Sequence, residues 1–150
     1  FNVIADSVKL IGTVRYLDAN LNQILPLWIE EIVQGIAKCH GANAEVKYRC
    51  IAPPIFNDPD LTELLEKSAI SLLGSKNVLR LEQPSMGAED FAELLDNIPG
   101  SMFRLGVQGM DGCPPLHNGY FCPDEGSLEI GIKVITTTLI AWLDKQESTQ

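Results

Sequence analysis

Three prolines within nine residues set the strongest constraint on how this chain folds. The segment APPIFNDPD at 52–60 contains Pro53, Pro54 and Pro59. Proline lacks a backbone N–H and fixes φ, so neither a helix nor a central strand is expected to continue through this segment. Asp58 followed by Pro59 is typical of a helix cap and first helical position. The sequence therefore predicts a boundary here, with separate elements on each side.

The residues before this boundary predict a strand, a helix and a second strand. Apolar and polar residues alternate at 8–16 and again at 44–51, as in half-buried strands. Between them, apolar residues recur at helical spacing up to Gly41, a natural helix stop: Leu25, Trp28, Ile29, Ile32, Val33 and Ile36. A connection of this length suits a parallel strand pair with the helix on one face.

The residues after the boundary predict further alternation of helices and strands. The predicted elements are a helix from Asp58 to about Gly74, a strand at 77–82, a helix from about Ala88, a strand at 102–109 and a final helix ending near Lys145. The whole chain is therefore predicted to be α/β, in two unequal parts joined near the paired prolines.

Composition limits the classes of partner and compartment. Apolar residues at 45% and charged residues at 21% are globular proportions, and a net charge of -9 disfavours binding to nucleic acid or to an anionic membrane. No run of about 18 apolar residues predicts a transmembrane helix, and no secretory signal is evident. We therefore expect a cytoplasmic protein whose four cysteines are free thiols: Cys39, Cys50, Cys113 and Cys122.

His117 is the candidate metal ligand. It lies in PPLHNGYF, where the flanking prolines would fix the direction of a neutral imidazole suited to zinc or manganese. A lone histidine is more often packed or solvated than ligating. His40 ends the first helix and is interpreted as a surface residue. A single-metal site of His117 with Cys113 and Cys122 is a further alternative.

Two acidic residues, Glu89 and Asp90, are predicted in the first turn of the helix from about Ala88. Carboxylates at a helix start interact favourably with the helix dipole. They could also orient a neighbouring metal ligand. Both interpretations stay open from the sequence alone.

Asn2 and Arg15 are thirteen residues apart, at the two ends of the first strand segment. A guanidinium and an amide together can hold a carboxylate. The simpler alternative is a capping asparagine and a solvated arginine.

Four motifs in fixed order carry a family resemblance: FNVIADSVKLIGTVRYLD, PPIFND, MGAEDFAELLDNIPGSMFRLGV and PLHN…F…DEGSLEIG. They resemble the C-terminal part of the N-acyl-amino-acid amidohydrolases. This metallopeptidase family includes aminoacylases, hippurate hydrolases and auxin-conjugate hydrolases. The resemblance implies that residues 1–54 are the second half of a ferredoxin-like lid (dimerisation-type) domain. It implies that residues 55–150 are the C-terminal part of an α/β catalytic domain.

The resemblance also implies roles for the candidate residues. His117 matches the last ligand of a site for two zinc or manganese ions, and Asn2 and Arg15 match the pair that holds the substrate carboxylate. Glu89 and Asp90 match a supporting motif near the active site. In the family, the other metal ligands and the general-base glutamate lie before the position that matches residue 1 of this chain. The resemblance therefore implies no catalytic residue within this chain.

Two functions follow as hypotheses. In the first, the chain is part of a metal-dependent amidohydrolase that cleaves the amide bond of N-acyl amino acids. This protein is expected to be cytoplasmic and to form a homo-oligomer through the lid strands. The isolated chain is expected to be inactive. The second is a non-catalytic binding or oligomerisation module derived from that family, because half a lid leaves unpaired strand edges.

Overall fold

A computed structural model describes residues 2–109 and 112–148. These residues form four α-helices and one short 3-10 helix, Ser75–Asn77: α1 Leu21–Cys39, α2 Pro59–Leu73, α3 Phe91–Leu95 and α4 Gly126–Glu147. They divide into two compact units. The first contains the described residues up to Ile55 together with Ser85–Asp90, and the second contains Phe56–Pro84 and the described residues from Phe91 onward.

The division between the units lies within the proline-rich segment, between Ile55 and Phe56. Ser85–Asp90 belongs to the first unit rather than to the second. The outer limits of the predicted domains, Phe1 and Gln150, lie outside the described residues. Whether the units are a lid and a catalytic domain stays a prediction.

Helix α1 ends as its glycine predicts. Gly41 has φ 66 and donates its N–H to the Lys38 carbonyl at 3.2 Å. The next residue, Ala42, donates to the Ala37 carbonyl at 2.9 Å. These two bonds and the left-handed glycine define a Schellman motif, which satisfies carbonyls at the helix end. Pro26 lies inside the helix, which begins at Leu21.

Helix α2 begins and ends where local sequence chemistry predicts. The Asp58 carboxylate accepts the Leu61 N–H at 2.9 Å, and Pro59 occupies the first helical position. Such a cap satisfies one of the orphan amides of the first turn. At the other end Gly74 has φ 79, a conformation that favours glycine.

Small residues allow α2 and α4 to pack together in the second unit. The buried residues of these helices are Ser68 and Ala69 on α2, and Ser127, Gly131 and Val134 on α4. A Cβ added to Gly131 would lie 3.0 Å from Cδ2 of Leu105. The absence of a side chain at Gly131 therefore lets Leu105 lie directly on α4.

The strands predicted at 8–16, 44–51, 77–82 and 102–109 are wrong for the described residues, which contain no strand. Their only β-pairing is an isolated antiparallel bridge between Gln108 and Pro123. A strand exists only as part of a ladder, and these segments lack neighbouring strands to pair with. Apolar side chains along the first segment are consequently exposed, with Val8 at 79% and Leu10 at 92%.

Helix α4 is long and apolar enough to cross a membrane by length and composition alone, with a mean hydropathy of 1.3 over its most apolar window. No such helix is expected from the sequence. Only 17% of that window is buried, although α4 packs against α2. The length and composition of a single helix are weak evidence for a membrane span, because the mostly buried core helix of a water-soluble protein and a signal sequence meet the same criterion.

Candidate functional site

His117 occupies a strained turn. Its φ is 67, and among the described residues it is the one non-glycine residue with positive φ. The Asn118 N–H donates to the Pro115 carbonyl at 3.2 Å, so His117 is the third residue of a β-turn, the position that usually takes glycine when φ is positive. A left-handed residue with a Cβ costs about 1–2 kcal/mol, and such outliers concentrate at functional sites.

The base of the loop that carries this turn is held closed. The Asp124 N–H donates to the Val107 carbonyl at 2.9 Å, beside the bridge between Gln108 and Pro123. The Asp124 carboxylate accepts the Gly126 N–H at 2.9 Å, at the start of α4. The loop is therefore anchored to α4, and the His117 turn projects from a fixed base.

The loop also has internal hydrogen bonds on each side of His117. Asn118 accepts the Tyr120 N–H through its side chain at 2.9 Å and the Phe121 N–H through its carbonyl at 3.0 Å. The Cys113 thiol donates to the Cys122 carbonyl at 2.9 Å. An open cavity of about 420 Å³ lies against this loop, lined by Val107, Gln108, Cys113, Pro114, Pro115 and Phe121.

The imidazole of His117 fits the role of one metal ligand, because it is exposed and its backbone is fixed by the turn. Within residues 2–109 and 112–148, no group of three or more His, Cys, Asp and Glu side chains could hold a metal ion. The alternative single-metal site of His117 with Cys113 and Cys122 is therefore not formed. A complete metal site needs ligands from beyond the described residues.

Arg15 is anchored in the first unit by the segment that follows residue 84. Its Nη1 donates to the Met86 carbonyl at 2.6 Å. A guanidinium has five N–H donors, so one such bond leaves others that can face a carboxylate. Asn2 is exposed, and no hydrogen bond joins it to Arg15 in the described part of the chain. The paired carboxylate clamp stays a prediction.

Glu89 and Asp90 do not lie in the first turn of a helix, so that prediction is wrong. Helix α3 begins at Phe91, and the acidic residue of its first turn is Glu93. A turn in which the Ser85 hydroxyl accepts the Gly87 N–H at 3.1 Å comes first and delays the helix. Both carboxylates are exposed in Ser85–Asp90, the segment whose Met86 carbonyl binds Arg15.

Asn57 has a structural role that was not predicted from the sequence. Its side-chain amide donates to the Met102 carbonyl and accepts the Met102 N–H, both at 2.9 Å. The adjacent Asp58 N–H donates to the Gly100 carbonyl at 2.8 Å. The amide thus replaces a strand neighbour for Met102. Its position in the motif PPIFND was the available signal, but the partner lies 45 residues away.

Tyr16 carries the perturbed ionisable group of the first unit. Burial raises its pKa to about 12, and the hydrogen bond with the Cys50 thiol, with its oxygen 3.6 Å from the sulfur, acts in the same direction. The Tyr16 hydroxyl also donates to the Asn22 side-chain oxygen at 3.0 Å. These contacts join the segment before α1 to the first turn of α1 through Asn22 and to the segment after α1 through Cys50.

Comparisons with known proteins place the chain in a family. The sequence profile described as peptidase family M20/M25/M40 matches residues 3–141. A protein named probable hydrolase sll0100 from Synechocystis sp. is 42% identical over 143 residues, covering 94% of this chain and 36% of the relative. Thermostable carboxypeptidase 1 of Saccharolobus solfataricus is 35% identical over 133 residues, covering 87% and 33% respectively.

A third relative carries a more specific name. N-acetyldiaminopimelate deacetylase of Pediococcus pentosaceus is 34% identical over 137 residues, covering 89% of this chain and 34% of the relative. The chain thus spans about a third of the length of the curated relatives it matches. The match is consistent with the α/β metallopeptidase class that the sequence predicts. Because the profile covers nearly the whole chain, the chain belongs to peptidase family M20/M25/M40.

Proposed function

We propose that this chain is part of a metal-dependent amidohydrolase that cleaves the amide bond of N-acyl amino acids. The observation that carries the proposal is the strained, exposed turn that presents His117. The family match supports hydrolysis, and a relative named for deacetylating N-acetyldiaminopimelate supports an N-acyl amino acid as substrate. A need to hold the imidazole in one direction would account for the backbone strain in this turn.

In this proposal His117 supplies one imidazole ligand to a site for two zinc or manganese ions. Such ions, when bound, polarise an amide carbonyl and make hydroxide available near neutral pH. The contribution of this chain is to orient the ring. Pro115 and the hydrogen bond from Asn118 fix the turn, and Asp124 ties the loop to α4. A ligand held in this way loses little conformational freedom when it binds.

Arg15 and Asn2 are proposed to hold the carboxylate of the substrate. The bond from Arg15 to the Met86 carbonyl restrains the guanidinium, and its remaining donors suit the two oxygens of a carboxylate. Holding the carboxylate fixes where the neighbouring amide lies. Glu89 and Asp90, in the same segment as Met86, are proposed as supporting residues for the active site.

The general base and the remaining metal ligands are proposed to lie outside these 150 residues, because the described residues do not form a metal site. The isolated chain is therefore expected to be inactive. Incubation with N-acetyl or N-benzoyl amino acids and added zinc or manganese checks this. Turnover well above that of the metal alone would contradict the proposal.

Carboxylate recognition can be tested in a chimaera in which this chain replaces the matching 143 residues of the Synechocystis relative. Arg15→Gln is expected to raise KM for an N-acetyl amino acid but not for the same compound with its carboxylate converted to an amide. Arg49→Gln, at another exposed arginine of the first unit, is the matched control and is expected to leave both values unchanged. An equal effect of Arg15→Gln on both substrates would remove Arg15 from carboxylate binding.

We also propose that the protein is cytoplasmic and self-associates through the segments predicted as lid strands. All four cysteines are free, which suits a reducing compartment. Val8 and Leu10 are exposed on the first of these segments, which has no strand partner in the described residues. Light scattering of the chain is expected to give at least twice its mass of 16.5 kDa. A single species at 16.5 kDa would contradict self-association.

A further inference from the structure

Two thiols lie at the base of the loop that presents His117. Cys113 is half-buried and donates its S–H to the backbone carbonyl of Cys122 at 2.9 Å, while Cys122 is exposed. Both cysteines are free. The pairing of Gln108 with Pro123 lies next to this contact and brings the two sides of the loop together. In the sequence, His117 thus lies between two cysteines that contact each other.

The contact places the two sulfur atoms within reach of each other. The sulfur of Cys113 already touches the main chain of Cys122. Within one cysteine the carbonyl oxygen and the sulfur are about 3–5 Å apart, as covalent bond lengths require. The two sulfurs are therefore no more than about 8 Å apart, and closing this gap requires rotation of the two side chains and adjustment of the loop. Cys113 also lines the open cavity of about 420 Å³, so a small oxidant can reach it.

We propose that Cys113 and Cys122 form a redox-sensitive disulfide that closes a ring around the His117 turn. The oxidant is a small-molecule disulfide such as oxidised glutathione. The thiolate of one cysteine attacks a sulfur of the oxidant, which breaks its S–S bond and releases one thiol. The second cysteine thiolate then attacks the protein sulfur of this mixed disulfide and displaces the second thiol. The protein loses two electrons and two protons, and the oxidant becomes two thiols.

Ring closure acts directly on the turn. It removes the hydrogen bond from Cys113 to the Cys122 carbonyl and links the two ends of the segment that contains His117 and Asn118. Oxidation is therefore expected to change the environment of the imidazole. The disulfide itself does not depend on the proposed function, whereas its effect on metal binding rests on the role of His117 as a ligand.

The experiment exposes the chain to oxidised glutathione and then maps disulfides by peptide mass spectrometry. The expected product is a single polypeptide chain lighter by about 2 Da, with a disulfide between Cys113 and Cys122 and no disulfide between chains. Cys113→Ser and Cys122→Ser are each expected to abolish it. A variant with Cys39→Ser and Cys50→Ser is the matched control and is expected to form it at the normal rate.

Two further measurements distinguish cysteines that the fold holds together from cysteines that meet only because they are close in the sequence. Ring closure is expected to be faster in native buffer than in guanidinium by on the order of tenfold, because the fold holds the cysteines together. The chain has two histidines, so NMR signals of His117 are expected to shift on oxidation while those of His40 do not.

Equal rates in native buffer and denaturant would overturn the proposal, as would stable mixed disulfides without the ring. Unchanged His117 signals after ring closure would overturn it too, because the cysteines would then not act on the turn. None of these measurements uses metal or substrate. Failure of the proposed amidohydrolase function would therefore leave the disulfide result intact, and failure of the disulfide would leave the function untouched.

Discussion

Replacing His117 by glycine is expected to stabilise the second unit relative to replacement by alanine. Both changes remove the imidazole, and only the Cβ distinguishes them. At φ 67 the Cβ costs about 1–2 kcal/mol, and the greater freedom of glycine in the unfolded chain costs about 0.5–1 kcal/mol. The difference in the free energy of unfolding is therefore expected to favour His117→Gly over His117→Ala by up to about 1.5 kcal/mol.

Denaturant unfolding measures this difference when fluorescence reports on the second unit alone. The chain has two tryptophans, Trp28 in α1 and Trp142 in α4, so a Trp28→Phe background leaves the probe in α4. His40 provides the matched control, because its φ is -102 and alanine is expected to be the more stable replacement there. If His117→Gly were less stable than His117→Ala, the turn would hold no strain and the main structural argument for function would fail.

Three further predictions concern packing, a hydrogen-bonded segment and pH. Val134→Ala is expected to lower the free energy of unfolding of the second unit by about 2–3 kcal/mol in denaturant titrations, since Val134 is only 2% exposed and about 0.8 kcal/mol is lost per buried CH₂ before the cavity is counted; a change below about 0.5 kcal/mol would contradict that packing. Asn57→Ala is expected to cost about 1–3 kcal/mol by the same assay, because both backbone groups of Met102 lose their partner; an unchanged midpoint would show that water replaces the amide. Tyr16 has a pKa raised to about 12 from 10.0, so its contribution to stability is complete below pH 10 and is lost as pH rises through 12. Tyr16→Phe should remove the tyrosinate absorbance step near pH 12, and Cys50→Ala should move that step to lower pH. A step that persists in Tyr16→Phe would belong to another tyrosine.

Helix ends could be predicted from sequence because their determinants are local. Asp58 and Pro59 begin α2, and Gly41 ends α1, through hydrogen bonds that span at most five residues. The start of α3 was misplaced by a few residues because the turn at Ser85 satisfies backbone groups before the helix does.

Strands could not be predicted in the same way. The alternation at 8–16 is that of a strand with one buried face, but alternation describes side chains and does not supply a partner. In the described residues that segment has no ladder, and all its side chains except that of the half-buried Tyr16 are exposed. The role of Asn57 was missed for a related reason, because its partner Met102 is far away in sequence.

The candidate site was only partly predictable. The sequence singled out His117 by its proline-rich setting, but positive φ is uncommon for any non-glycine residue, so the left-handed backbone was not predicted. The contact between Arg15 and Met86 depends on a segment that returns to the first unit after 71 residues. Geometry of this kind follows from the path of the chain and not from residue spacing.

The metal content of the chimaera with the Synechocystis relative tests the role of His117 most directly. With His117 in place, elemental analysis of the dialysed protein is expected to give two zinc or manganese ions per chain, as proposed above. His117→Ala is expected to lose at least one of them, while His40→Ala, at the other histidine, is expected to keep both. Equal metal content in the His117→Ala and parent proteins would show that this imidazole is not a ligand.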